Sequence, residues 1–364
     1  MPDSLGGSMM KEGSDYWVSM GPSPQTVRCT VVIPAYGAEE TLLRAVESAL
    51  DQTLREIEVI IVDDASPDGC WDLISGLLQK DKRVRAVRNK RNRGKSVSMN
   101  RAVSEARGRW LAVLDADDWY HPDRLEMLIA EGERRHVDMI ADNQFFYDAR
   151  AEQLVGTAWP SGHACWKLTF DDFLLGSNAY DNFNLGMLKP VIRTDFMRNV
   201  GLGYEVTARH GEDFFHLLQF YLSGGEAAIS DAAYYYYTQP FGSVSREWSH
   251  GERSRYDFQN SYEINRRYLQ EAEHVLTARQ RRRLLARNDG LKVLESYFSA
   301  KDAVAEKRWL SVPLALARHP GSFLHLAKRL GARLRPAPES NTIPRIAARA
   351  RRRERTAVRP GDIE

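Results

Sequence analysis

The sequence predicts an α/β fold: a mostly parallel central sheet with helices on both faces, followed by a helical C-terminal extension. Three observations carry this. Short β-branched apolar runs alternate with segments of helical periodicity up to about Asn143. Each run stops on a polar turn, and these turns are dominated by carboxylates. Beyond Asn143 the alternation gives way to an aromatic-rich stretch, and from about Tyr256 to Leu330 the pattern is mainly helical.

Val31-Val32-Ile33 is the first strand, stopped by Pro34, and the helix from Thr41 to Leu50 places Leu42, Leu43, Val46 and Leu50 at helical spacing. Val59-Ile60-Ile61-Val62 and the helix from Pro67 to Leu78 repeat the pattern. Val84 to Val87 with Ser96 to Ala106, and Trp110 to Leu114 with Pro122 to Glu131, repeat it twice more. Met139-Ile140-Ala141 is a further strand. Ligands of such sheets bind beyond the carboxyl ends of the strands. Those ends carry Pro34-Ala35-Tyr36, Asp63-Asp64-Ala65-Ser66, Asn89 to Lys95 and Asp115 to Asp118. Four regions are expected: a flexible leader over 1–27, a catalytic domain over 28–250, a helical extension over 251–335 and a poorly ordered basic tail over 336–364.

The chain has 364 residues, 43% hydrophobic and 27% charged, ordinary for a globular protein with a sizeable core. Its net charge of +2 conceals an asymmetry. Residues 318–364 hold twelve Lys or Arg against four Asp or Glu, leaving a mildly acidic body and a strongly basic tail. Three cysteines, Cys29, Cys70 and Cys165, suggest neither a disulfide framework nor a zinc site, which fits a reducing cytosol. The Gly, Ser and Pro-rich start lacks the charged and apolar regions of a signal peptide. No apolar stretch reaches the roughly 18 residues of a membrane span. The expected location is the cytoplasm.

Asp115-x-Asp117 sits where a strand ends, so both carboxylates can face one crevice. Hard oxygen ligands of this kind suit Mg²⁺ or Mn²⁺, which keep coordination sites for substrate phosphate oxygens. Acidic residues capping the following helix are the plainer reading of the same residues. Asp63-Asp64-Ala65-Ser66 is positioned to hydrogen-bond a base or ribose, or to cap the helix near Pro67. Asn92-Arg93-Gly94-Lys95-Ser96 offers a basic helix entry for a diphosphate, with Lys95 as the cation. It lacks the P-loop spacing, and no G-x-G-x-x-G follows the first strand.

Taken together, Val31 to Tyr36, Val62 to Ser66, Asn92-x-Gly94, Ser98 to Ala102, Gly108-Arg109-Trp110, Asp115 to Asp118 and Pro122-x-Arg124-Leu125 resemble glycosyltransferase family two with its GT-A fold. The resemblance continues through Leu188-Lys189-Pro190, Gly211-Glu212-Asp213 and Gly242 to Arg246. Its later segments are most similar to bacterial exopolysaccharide transferases of the succinoglycan type. The resemblance implies that Pro34, Tyr36 and Asp64 bind the nucleotide of the donor. Asp115 would meet the ribose, metal and diphosphate, Asp117 the metal, and Asp213 would be the catalytic base. It also implies inversion at the sugar carbon, a nucleotide-diphosphate sugar donor of the UDP type and a lipid-linked saccharide acceptor. Without it, Asp213 reads as a capping acid at a helix start.

Processive relatives follow a Gln-x-x-Arg-Trp motif with membrane spans; Arg246-Glu247-Trp248 echoes it only in part, which favours single transfer. A catalytically inactive scaffold of the same fold would have lost one of Asp64, Asp117 or Asp213, and none is lost. A nucleotidyltransferase would show a Gly-rich turn after the first strand, which Pro34 to Glu40 lacks. The acidic body and the absence of a nucleic-acid motif argue against nucleic acid as a partner, despite Arg351-Arg352-Arg353. The expected use of the tail is attachment to an anionic membrane surface on the inner face of the cytoplasmic membrane. Phe323, Leu326, Ala327, Leu330 and Leu334 fall on one helical face, away from Lys328, Arg329, Arg333 and Arg335. Packing of that helix on the catalytic domain is the competing expectation.

Overall fold

A computed structural model of the chain describes residues 16–18, 27–179, 183–239, 258–332 and 342–357. In chain order the strands and helices are β1 (Tyr16–Val18), β2 (Cys29–Ala35), α1 (Leu42–Leu50), β3 (Ile57–Asp63), α2 (Cys70–Lys80), β4 (Val84–Arg88), α3 (Lys95–Glu105), β5 (Trp110–Val113), β6 (Trp119–Tyr120), α4 (Arg124–Arg134) and β7 (Met139–Asp148). Then come β8 (Gln153–Thr157), β9 (Cys165–Lys167), α5 (Phe170–Gly176), β10 (Val191–Arg193), α6 (Thr194–Val200), α7 (Glu212–Leu222) and β11 (Ala227–Gln239). The extension is helical: α8 (Phe258–Glu271), α9 (Ala278–Ala305), α10 (Ser311–Ala317), α11 (Gly321–Ala332) and α12 (Thr342–Ala357).

One mixed sheet runs β1-β4-β3-β2-β5-β10-β7-β11-β6, with β8 on β7 and β9 on β11. Strands β4, β3, β2 and β5 are parallel neighbours, and β7 and β11 form a second parallel pair. Between these blocks β10 is antiparallel to both β5 and β7, so the two parallel blocks point the same way. This is the GT-A-like α/β architecture expected of the sequence. The antiparallel β10 has one large consequence. Its amino end lies at the edge where β5 ends, and the chain just before Val191 therefore arrives beside Asp115.

The core forms on both sheet faces because the inner strands are apolar throughout: β3 is buried at all seven positions. On one face Leu42, Val46, Ile74 and Leu125 share a cluster with Val31, Ile33, Val59 and Ile61; on the other Met99, Phe214 and Leu218 share one with Val32, Ile60 and Val113. The aromatic residues Trp119, Tyr236 and Phe145 pair directly across β6, β11 and β7. Their rings stack at 4.9 Å, with Arg44 over the outer Trp119 face at 3.9 Å. Rings covered in this way belong to the sheet's own packing.

Two terminal expectations differ from the structure. Within the expected leader, Tyr16–Val18 pairs antiparallel with β4; an aromatic and β-branched triplet suits an edge strand even between Gly and Ser-rich flanks. Within the expected poorly ordered tail, Thr342–Ala357 is a helix whose Ile343, Ile346, Ala347 and Ala350 are buried in the larger core. These four recur at offsets of 3, 4 and 7, an apolar stripe masked by the surrounding arginines. Arg351 pairs with Asp231, and Arg353 with Asp172 at 3.1 Å, so two tail cations neutralise carboxylates of the domain.

On α11 the expected face is divided. Leu326 packs against Ala300, Ala315 and Leu316, while Phe323 of that face, and Leu324 next to it in the chain, are 49% and 62% exposed. Leu334, Arg333, Arg335 and the Gly242 to Arg246 motif lie outside the described residues. Among the described residues no helix is long and apolar enough to cross a membrane.

Candidate active site

The site forms where the strand ends converge. After β5, Leu114 is buried and Asp115 to Asp118 turn along the sheet edge. Asp118 is nearly fully buried and faces inward: its Oδ2 accepts the Tyr235 hydroxyl at 2.7 Å and its Oδ1 the Thr238 amide at 2.7 Å. Burial, then Asp117 and Asp115, push its carboxyl well above the usual range. Its work is to tie β11 to the turn. The Asp117 carbonyl is fixed as well, accepting Arg44 at 2.9 Å and the Thr238 hydroxyl at 2.5 Å.

Asp115 and Asp117 differ sharply. Asp115 Oδ1 meets Lys95 Nζ at 2.9 Å, and Oδ2 meets Lys189 Nζ at 2.7 Å. Burial alone would raise this carboxyl; Lys189 and Lys95 outweigh it and hold it well below the usual carboxylate range. No cation among the described residues pairs with Asp117, and burial followed by the nearby Asp115 charge pushes its carboxyl up to about 6. Oxygens of Asp115, Asp117 and Asp118 lie within 4.8 Å of one another. A half-buried carboxylate that pairs with no cation among the described residues, beside a second one in the same turn, fits a divalent ion. Asp117 and a shared Asp115 oxygen would hold it.

Asp213 comes from the other block of the domain. Gly211 precedes α7 in the left-handed region, at φ +74°, where a side chain is disfavoured, and this turn directs Glu212 and Asp213 into the first helical turn. Asp213 Oδ2 meets Lys189 Nζ at 2.6 Å and Lys95 Nζ at 3.6 Å, and Glu212 Oε1 meets Lys95 at 3.2 Å. Burial works against both ammonium groups, but the carboxylates outweigh it and raise both lysines above their ordinary values. Helix α9 braces α7: the Arg287 guanidinium lies 3.5 Å over the Phe214 ring and donates to the Ser177 carbonyl at 2.7 Å.

The structure thus joins Asp115, Lys95 and Asp213 directly, with Asp117 beside them. The nucleotide-side candidates lie along the same edge, outside this ion-pair network. Pro34 is the penultimate residue of β2, and Tyr36, just beyond the strand, is 37% exposed. Asp64 is almost wholly buried and accepts the amides of Arg93 at 2.9 Å and Gly94 at 2.7 Å, together with Asn89 Nδ2 at 2.7 Å. Its carboxylate shapes the loop that delivers Lys95. Ala65 beside it holds φ at +62°, a backbone cost of roughly 1–2 kcal/mol stored at the crevice. The sequence reading gave no role to Lys189 or Glu212. Lys189 carried a signal in Leu188-Lys189-Pro190, whose proline marks a strand entry.

An α/β sheet edge with a carboxylate turn and a second carboxylate at a facing helix start is the arrangement expected of a GT-A sugar transferase. The sequence model of Glycosyl transferase family 2 matches residues 30–170. The chain is 30% identical over 327 residues to the succinoglycan biosynthesis protein ExoO of Rhizobium meliloti (strain 1021), covering 87% of this chain and 91% of that protein. A shorter match, 41% over 91 residues, is to the Escherichia coli UDP-Glc:alpha-D-GlcNAc-diphosphoundecaprenol beta-1,3-glucosyltransferase WfaP, covering 25% of this chain and 36% of that one. Among solved structures, S. aureus TarS superposes with a TM-score of 0.54 at 19% identity, over 72% of this chain and 43% of that chain. The chain belongs to glycosyltransferase family 2 and is a glycosyltransferase.

Proposed function

We propose that the chain transfers a single sugar, with inversion, from a UDP-sugar to a hydroxyl of a lipid-linked saccharide during polysaccharide assembly. The observation that carries this is the Lys189 ammonium shared by Asp115 and Asp213, which brings a donor-side carboxylate and a helix-start carboxylate to one crevice. The names of ExoO and WfaP support the setting in polysaccharide synthesis, and that of WfaP a UDP donor and a lipid-linked acceptor.

In this reading Pro34, Tyr36 and the loop organised by Asp64 receive the nucleotide, and Lys95 reaches toward the diphosphate. A divalent ion held by Asp115 and Asp117 would supply Lewis-acid stabilisation of the departing nucleotide, worth several kcal/mol. Asp213 takes the proton from the acceptor hydroxyl as that oxygen attacks the sugar carbon opposite the diphosphate. A positioned base of this kind contributes about 10²- to 10⁴-fold in rate. The sugar–oxygen bond forms as the sugar–phosphate bond breaks, and no covalent enzyme intermediate is required.

Incubation with UDP-glucose, UDP-galactose, UDP-N-acetylglucosamine and GDP-mannose tests this, with release of the nucleoside diphosphate as readout. UDP release from at least one UDP-sugar, faster with an added undecaprenyl-diphosphate saccharide, is expected. Release only from GDP-mannose, or no release from any donor, contradicts it.

Attachment to an anionic membrane surface is part of the same proposal. Phe323 and Leu324 of α11 are exposed, as are Trp309, Leu310 and Leu314 on and before α10. Apolar side chains with nearby cations bind the headgroup boundary. Because α12 is packed into the core, point changes are a cleaner test than truncation. The native chain is expected to float with phosphatidylglycerol vesicles and to release in high salt. A Phe323→Ser, Leu324→Ser variant is expected to float less, and equal flotation contradicts this attachment.

A further inference from the structure

We propose that Lys189 is a positioning residue for the base, gripping Oδ2 of Asp213 so that Oδ1 is the oxygen presented to the acceptor hydroxyl. This rests on the reading of Asp213 as base and adds a residue that acts through it. Lys189 immediately precedes Pro190 and β10, and the antiparallel course of β10 delivers it to the strand edge that bears Asp115. Its main chain is fixed from beneath. The Lys189 carbonyl accepts Arg124 Nη2 at 2.5 Å, and the fully buried Arg124 forms a bidentate pair with Asp142, with contacts of 2.8 and 3.2 Å.

A lysine side chain only 5% exposed is held in place by its partners, since ordering its four-carbon stem alone costs about 2 kcal/mol. Here the partners are two carboxylates at 2.7 and 2.6 Å, short charge-assisted contacts that fix the ammonium between them. A free aspartate carboxylate turns broadly about its last torsion. With Oδ2 of Asp213 bound by Lys189 and approached by Lys95, that turn is stopped, and Oδ1 meets no partner among the described residues. The two lysines differ in exposure: the Lys95 side chain is 27% exposed, whereas that of Lys189 is 5% exposed.

The test is a double-mutant cycle with Lys189→Met and Asp213→Asn. Its readouts are UDP release from the most active UDP-sugar of the panel above, with water as acceptor, and donor affinity by titration. Misplacement of a reacting group by about 1 Å costs roughly 10²-fold. Lys189→Met is therefore expected to lower kcat by about that factor, with donor KM changed less than about threefold. In the Asp213→Asn background the same substitution is expected to cost less than about threefold, because the group it positions is gone. Methylammonium, which can fill the cavity left by a smaller side chain, is expected to restore part of kcat in Lys189→Ala but not when Asp213→Asn is also present. An unchanged kcat in Lys189→Met overturns the proposal, as do losses that multiply in the double variant or a loss confined to donor affinity. If Asp213→Asn alone keeps native turnover, the base reading itself fails, a result separate from a silent Lys189→Met. Should Lys189→Met not fold, Lys189→Gln, neutral and of similar length, enters the same cycle with the same expectation.

Discussion

The two blocks of the sheet hold their charges in opposite ways. In the β4-β3-β2-β5 block, Asp64 and Asp115 to Asp118 follow directly from strand ends, one after another along a regular repeat. In the block that includes β10, β7 and β11, Lys189 stands before a three-residue antiparallel strand and Asp213 at a helix start. The first arrangement is set by local sequence order. The second is set by topology, because only the reversed direction of β10 brings Lys189 to the Asp115 edge. On the proposed reading, a crevice built this way divides its labour: the repeat would provide the donor side, and the irregular block the base and the cation that holds it.

The largest effect that would sharpen this comparison is at Asp117, the crevice carboxylate that pairs with no cation among the described residues. Asp117→Ala is expected to lower kcat/KM by about 10³-fold, the rate equivalent of several kcal/mol. EDTA should bring the native enzyme to a similar level while changing the variant little. Near-normal turnover in the variant would leave the donor side without its metal.

Next comes the link between the blocks. Arg124, from the repeat, holds both Asp142 and the Lys189 carbonyl. Arg124→Met leaves Asp142 buried without its partner, an error that costs about 3–5 kcal/mol of stability. Urea unfolding should show the loss, and a midpoint within error of the native one would make the link dispensable. A somewhat smaller effect is expected at the tail. Ile346→Ala removes a buried side chain and should destabilise by about 2–5 kcal/mol, with kcat of the folded enzyme unchanged. An unaltered midpoint would mean that α12 adds nothing to the core.

How much was readable in the sequence follows the same division. The first four strand–helix pairs were legible because apolar runs such as Ile57–Asp63 and the Leu42–Leu50 stripe carry their own periodicity. The carboxylate turn was legible because it closes such a run. The inward turn of Asp118 was not, since it depends on Tyr235 and Thr238, about 120 residues further along. Asp213 read as a plain capping acid until the family resemblance supplied a role, and Lys189 drew no role because three residues of β10 carry too little pattern to reveal a direction. Helix α12 was hidden by composition: its arginines outnumber the four small or branched residues that bury it.

The central claim is that Asp213 removes the acceptor proton while the opposite block holds the donor. Donor affinity and UDP release measured side by side on Asp213→Asn test it most directly. The account predicts native affinity for the UDP-sugar and turnover lower by about 10²-fold or more. Turnover near the native value, or affinity and turnover lost together, would contradict it.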